Sequence, residues 1–355
     1  MEKERIKGKA QTVLGLVDGN ELGFTLPHEH IFIDIRCYWI EPTDPEEKKL
    51  ARQKITLENL HWARYHRRSC EDCLFFNDEE MAIRETMRFK KAGGGTIVDM
   101  SCNNIGRNPK GLVNVSKATG LNIIMGTSYY VGESYTPEMK MDSRTAEDIA
   151  QEFIRDITVG VGDTGIKAGV IGEIGTSWPV KEGEGKVLRA AVMAQQETGA
   201  VVNVHPGGSQ DAASWCLKVL EEAGADLSRV VFSHMTRTFP IDARSARARL
   251  ADKGCYLEYD IFGHDGSYPP FMADHDVGND AIRISQIREL IADGYLDKIL
   301  ISQDICYKIN LSSYGGGGYA LIPTVVIPVM LNRGMTEEQI HTITVENPKR
   351  ALTFV

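Results

Sequence analysis

Nothing in this chain approaches the roughly 18 uninterrupted apolar residues that a membrane-spanning helix requires, and residues Met1–Ala10 are charged rather than apolar. The expectation is a soluble, unexported, cytoplasmic protein without a membrane partner. Basic residues are in deficit: 40 Lys and Arg against 49 Asp and Glu leave a formal charge of −9, and no sustained Lys/Arg block exists. A nucleic acid would find no electrostatic footprint here, so that function class is set aside. Cysteine is sparse and odd in number, 7 in 355 residues, unlike a secreted disulfide framework. Cys70 and Cys73 form a C-x-x-C pair, but the second half of a zinc site is missing, and loop thiols are the plainer reading. Tyr314-Gly-Gly-Gly-Gly-Tyr319 lacks the Lys-Ser/Thr of a phosphate-binding loop and the spacing of a dinucleotide fingerprint, and reads as a flexible rim loop. Internal repeats and low-complexity linkers are absent.

What is present is an ordinary globular balance, 42% hydrophobic and 25% charged, arranged in alternating short apolar runs and longer helical patterns. The strand candidates are Phe24–Ile33, Gly95–Met100, Asn122–Thr127, Gly169–Ile174, Val201–His205, Val230–His234, Cys255–Tyr259 and Ile299–Gln303. Helical spacing fills the intervals, as in Ser143–Val159, Lys186–Thr198, Ala212–Ala223 and Ala281–Ala292. Eight such units predict a (β/α)8 TIM barrel, an α/β fold, as a single domain over residues 1–355. Ahead of it, Gln11–Val17 and Leu22–Leu26 flank Asp18-Gly19-Asn20, which predicts a β-hairpin turning at those residues and covering the barrel's lower end. A polar, aromatic-rich insertion, about residues 35–78, follows the first strand and belongs on the C-terminal face, where barrel loops build active sites.

His28-Glu29-His30 lies in the first strand, whose period of two sends both imidazoles to one face. Two inward histidines are costly among Val and Ile unless a ligand satisfies their nitrogens, although an H-x-H alone also fits a hydrogen-bonded core pair. His205, His234 and Asp304 close three further strand candidates, and Glu173 ends an otherwise apolar fourth strand. Packing accounts poorly for four histidines and two acids at equivalent depths, whereas metal ions account for all six. Lys167, which could bridge metals if carbamylated, precedes its apolar run and belongs at the wrong end of the strand.

Thr25-Leu-Pro-His-Glu-His30, Ile171-Gly-Glu-Ile-Gly-Thr-Ser177, Asn203-Val-His-Pro206, Phe232-Ser-His-Met235 and Ser302-Gln-Asp304 together resemble the phosphotriesterase-related family of the amidohydrolase superfamily, across essentially the whole chain. The resemblance implies a (β/α)8 barrel, two divalent metals with zinc expected, and a homodimer. It implies that His28, His30 and Asp304 hold the more buried metal, that His205 and His234 hold the more exposed one, and that Glu173 bridges. Organophosphate-degrading members carry a carbamylated lysine at the bridge. The glutamate here is similar to the branch that includes proteins labelled resiniferatoxin-binding, and it turns the expectation away from phosphotriesters.

The chemistry implied is hydrolysis of a small molecule by a metal-bridging hydroxide, with Asp304 as proton acceptor and donor. The oxyanion would meet the more exposed metal first and then Tyr129, whose phenol follows the third strand and fits equally a rim aromatic packed against a loop. Asn103, Arg107, Arg237, His264 and Lys308 follow other strands and are candidate contacts for polar or anionic substrate groups. A lactone or carboxyl ester stands first as substrate, with an N-acyl amide or a phosphoester as the alternative. Non-catalytic binding of a small molecule is the competing class.

Overall fold

A computed structural model describes residues 6–264 and 276–355. The eight strands expected are present: β1 Thr25–Glu29, β2 Thr96–Asp99, β3 Asn122–Thr127, β4 Val170–Gly175, β5 Val202–His205, β6 Val230–Phe232, β7 Tyr256–Tyr259 and β8 Ile299–Ile301. They form one parallel sheet in sequential order from β1 to β8. The sheet curls until its edges meet, with the Asp304 amide donating to the His28 carbonyl at 3.2 Å. This is a (β/α)8 barrel. Among the described residues, no helix is long and apolar enough to cross a membrane.

Alternation along each strand divides the side chains into two populations. Ile97, Ile123, Val202, Val204, Leu257 and Ile299 point outward into a large core shared with the surrounding helices. Those helices include α1 Glu79–Lys91, α2 Pro109–Thr119, α3 Ala146–Thr158, α4 Glu182–Thr198, α5 Gln210–Glu222, α6 Arg244–Asp252 and α7 Asp280–Ala292. Their starts follow from capping chemistry: the Asp78 carboxylate accepts from Met81 N at the head of α1, and Thr145 and Asp148 form a reciprocal box at the head of α3.

The inward residues change character with height. Val98, Ile124, Val170, Val231, Tyr256 and Leu300 make a separate apolar layer with Ala10 and Leu22 from the N-terminus and Ala351 and Leu352 from the last helix. Toward the C-terminal ends of the strands, the same faces carry buried polar and charged groups: His28, Asn203, His205, Ser233, Glu258 and Asp260. The barrel is therefore sealed with hydrocarbon below and polar above.

The N-terminal hairpin does cover the lower end, but it turns elsewhere than expected. Its strands are Lys9–Thr12 and Gly15–Asp18, so the turn is Val13-Leu14. The Thr12 hydroxyl, within reach of Leu14 N and Gly15 O, supplies the turn's hydrogen bonds, and Gly15 takes a φ of 131°. Asp18-Gly19-Asn20 instead starts a 3-10 turn, because Asp18 accepts from Asn20 N while Glu21 accepts from Asp18 N.

The insertion leaves and rejoins the barrel through a two-residue antiparallel pair, Ile33–Asp34 with Phe75–Phe76. Its anchor is the buried Asp72, which accepts from Lys54 Nζ at 2.8 Å, Ile55 N at 3.0 Å and Lys308 Nζ at 2.7 Å. Cys70 and Cys73 are buried free thiols inside it, and burial pushes the Cys73 thiol up to about 12, which leaves it unreactive. The glycine loop is tied down rather than open: Glu85 accepts from Ser312 N, Ser313 N and the Ser313 hydroxyl.

Candidate metal centre

Six side chains meet above the apolar layer. His28 and His30 come from β1, Glu173 from β4 and His205 from β5, while His234 and Asp304 lie just past β6 and β8. The last two adopt left-handed backbone conformations, φ 60° and 47°, at the points where the strands end. His and Asp tolerate that region better than bulky residues do.

Glu173 faces the candidate ligands with both oxygens. Oε1 lies 3.4 Å from His30 Nε2, and Oε2 lies 2.8 Å from His205 Nδ1, 3.5 Å from His234 Nε2 and 3.7 Å from His28 Nε2. Asp304 Oδ1 lies 3.1 Å from His30 Nε2 and 3.9 Å from His28 Nε2. His205 Nδ1 and His234 Nε2 are 2.8 Å apart. Donor atoms of His28, His30 and Asp304 all fall within 4.8 Å of one another, as do those of His28, Glu173 and His234. The histidines are oriented from behind: His28 Nδ1 meets Glu258 Oε2 at 3.0 Å, His30 Nδ1 meets the Ser101 hydroxyl at 2.9 Å, and His234 Nδ1 meets Asp260 Oδ1 at 3.0 Å. Such partners fix which ring nitrogen faces a metal.

Two observations show that divalent cations fit. His28 Nε2 is fully buried with no hydrogen-bond partner, aimed between Glu173 and Asp304. The acids Glu173, Glu258, Asp260 and Asp304 also crowd the histidines. Burial alone would push the His28 and His30 imidazoles down, yet the hydrogen bond and charge of Glu258 carry His28 well above its usual value, and Asp304 and Glu173 raise His30 to about 9. Against the effect of burial, His205, His234 and His30 hold Glu173 well below the usual carboxylate range, and His30, His234 and His28 do the same for Asp304. Cations answer that excess of negative charge. His205 differs, since burial and the nearby Arg237 guanidinium push it down to about 3, leaving it neutral as a ligand must be.

The centre opens into a cavity of about 480 Å³, within the range of small-molecule sites. Of the residues singled out beyond the ligands, Arg237 and His264 line it. Arg237 Nη2 donates to His205 Nε2 at 2.7 Å, and His264 Nε2 lies 3.0 Å from the Asp304 carbonyl. The others are engaged elsewhere. Tyr129 donates to Glu152 at 3.0 Å and accepts from Arg144 at 2.9 Å, so its phenol is turned out of the cavity. Asn103 donates to Glu152, Arg107 pairs with Asp156 at 2.7 Å and Lys308 pairs with Asp72, all outside the lining. Lys167 precedes β4 and does not line the cavity either.

Sequence reading missed Tyr130, Glu258 and Asp260. Tyr130 lines the cavity with its hydroxyl 3.3 Å from His205 Nε2. Glu258 and Asp260 had a legible signal, because two acids at period two in Tyr-Leu-Glu-Tyr-Asp repeat the logic of the two β1 histidines.

A parallel barrel that gathers four histidines around a buried carboxylate at its strand ends is an arrangement suited to metal-assisted hydrolysis. Comparison with known proteins gives the family: the sequence profile of the phosphotriesterase family matches residues 8–352, and the chain belongs to it. A phosphotriesterase-related protein of Nematostella vectensis is 43% identical over 350 residues, covering 98% of this chain and 99% of its own. An N-acetyltaurine hydrolase of Bos taurus is 40% identical over 350 residues with the same coverage of both chains. Among solved structures, a resiniferatoxin-binding protein from Rhodobacter sphaeroides superposes with a TM-score of 0.93 at 34% identity, over 98% of this chain and 96% of its own. The protein is a hydrolase with a small-molecule substrate.

Proposed function

We propose that the chain hydrolyses the amide bond of a small N-acylated amine with the help of two divalent cations, zinc being the expected metal. The observation that carries the two-metal reading is Glu173, whose oxygens face His30 on one side and His205 and His234 on the other. His28, His30 and Asp304 would hold one cation, His205 and His234 the other, and Glu173 both. When bound, such a pair lowers the pKa of water toward neutrality and polarises a carbonyl oxygen.

The chain's own groups supply the rest. Asp304 Oδ1, within hydrogen-bond reach of His30, takes the proton released as water attacks the acyl carbon and returns it to the departing amine nitrogen. The Tyr130 hydroxyl, beside His205 in the cavity, donates to the acyl oxygen as negative charge grows there. Asp260 and Glu258 hold the rings of His234 and His28 in register.

An amide moves ahead of a lactone or ester on two grounds. Relatives named N-acetyltaurine hydrolase match nearly the whole chain, and an amine leaving group needs a positioned proton donor, which Asp304 provides. The test is metal analysis with a substrate panel of N-acetyltaurine, a γ-lactone, an aryl acetate and a phosphotriester. We expect about two equivalents of metal per chain, turnover of the amide above all others, loss on chelation, and a 10²–10⁴-fold lower kcat in Asp304→Asn. Undiminished activity after chelation, or turnover of the lactone alone, overturns the reading.

A further inference from the structure

Beyond the ligand cluster, the charged side chains lining the cavity among the described residues are Arg67, Arg68, Arg237, Arg283 and Glu133. Most have protein partners. Glu133 pairs with Lys181 at 2.5 Å and Arg283 with Asp280 at 2.5 Å. Arg68 donates to the Tyr38 carbonyl at 3.1 Å, and Arg237 to His205 and the Pro206 carbonyl.

Arg67 is different. It has no hydrogen bond or ion pair with any described residue, and its guanidinium lies 4.5 Å from the centre of the Tyr307 ring. A guanidinium carries five N–H donors in a planar fork suited to a carboxylate, sulfonate or phosphate. Here it is half-buried on the wall of a cavity with its fork unanswered by any described residue.

Its placement is fixed from both sides. Arg67 belongs to the insertion after β1, and Tyr307 to the segment after β8. Asp72 in the first segment and Lys308 in the second are joined by a buried 2.7 Å ion pair, so arginine and ring are held together before any ligand arrives. Tyr307 stands three residues from Asp304, so the cation sits beside the reacting end of the cavity. Arg67 and Tyr307 line the same cavity as His30, Glu173, His205 and Asp304.

We propose that Arg67 is the specificity-determining residue of this hydrolase, binding the anionic end of the amine portion of the substrate, a sulfonate or carboxylate. This rests on the amide reading above and names the substrate class within it: N-acyl amino acids or amino sulfonates with a short spacer between nitrogen and acid. The other lining arginines add to the field, while Arg67 supplies the free fork.

The test compares Arg67→Gln and Arg67→Lys with the unaltered metal-loaded enzyme on two matched amides, N-acetyltaurine and the uncharged methyl sulfone of the same skeleton. Loss of a charged, forked hydrogen bond predicts a rise in KM for the sulfonate of about 10–100-fold in Arg67→Gln, less in Arg67→Lys, with kcat changed by no more than about threefold. The sulfone should be handled alike by all three proteins. An equal loss on both substrates, or no loss on the sulfonate, overturns the proposal.

Calorimetry of ethanesulfonate binding to the metal-loaded proteins keeps this separate from the amide reading, because ethanesulfonate has no bond to cleave. Binding weakened in Arg67→Gln upholds the anion site even if no amide is turned over. Unchanged binding in that variant rejects it even if amides are hydrolysed.

Discussion

Replacing Asp260 by Asn would disturb both groups of ligands through one side chain. Its Oδ1 accepts from the His234 backbone at 3.0 Å and faces His234 Nδ1 at 3.0 Å, while Oδ2 lies 3.3 Å from His28 Nδ1. An asparagine is nearly the same size but presents an N–H on one side. Facing either ring, that N–H favours the tautomer whose proton sits on the far nitrogen, Nε2, the atom needed for coordination. Loss of such an orienting partner costs about 10–100-fold in metal affinity, or about 1.4–2.7 kcal/mol. For a chain of 355 residues, with about 2.1 cal/mol/K of unfolding entropy per residue, this is a Tm about 2–4 °C lower at the same limiting free metal. Competition with a calibrated chelator reads the affinity, and scanning calorimetry with and without metal reads the stability. We expect the difference from the parent protein to shrink in the metal-free samples. Equal metal affinity in the two proteins would refute the orienting role, and an equal Tm deficit with and without metal would assign Asp260 to packing instead.

The two adjacent tyrosines make a paired test. Tyr130→Phe should lower kcat about 10–100-fold with little change in Tm, whereas Tyr129→Phe should leave kcat within about threefold, because only the first phenol faces the cavity. Reversal of that order in steady-state assays rejects the assignment. Asp72 links the insertion to acid stability. Burial opposes its ionisation, but Lys308 and Lys54 hold the carboxyl below its usual value, so its contribution is present above about pH 4 and fades as the pH falls through the depressed pKa. Asp72→Asn should therefore unfold earlier than the parent at pH 7, with the two Tm values converging in acid. A gap unchanged at about pH 2.5 would mean that the ion pair is not the cause.

The barrel was legible because its strands are short apolar runs, several of them ended by one chemically conspicuous residue. Val-Val-Asn-Val-His205 and Val-Val-Phe-Ser-His234 declare both the strand and the point where it reaches the site. The hairpin turn was less so. Asp-Gly-Asn is strong turn chemistry, but its side chains were spent on capping a 3-10 turn, while Val13-Leu14 turned through hydrogen bonds of a neighbouring threonine that the residue types do not advertise. Tyr129 and Tyr130 show a third limit. Adjacent residues at a strand exit point in different directions, and only backbone geometry beyond the strand decides which one reaches the cavity. Arg67 was passed over for a related reason: it comes from an insertion whose path depends on Asp72 meeting Lys308, 236 positions away.

The apolar seal beneath the metal centre has a kinetic consequence. With Ala10, Leu22, Ala351 and Leu352 packed against the lower layer, the barrel is no tunnel. Among the described residues the floor offers no second entrance, so molecules reaching His30, Glu173 and Asp304 arrive from the C-terminal face. Substitutions in the rim should therefore change rates of entry and release, while substitutions in the floor should change stability.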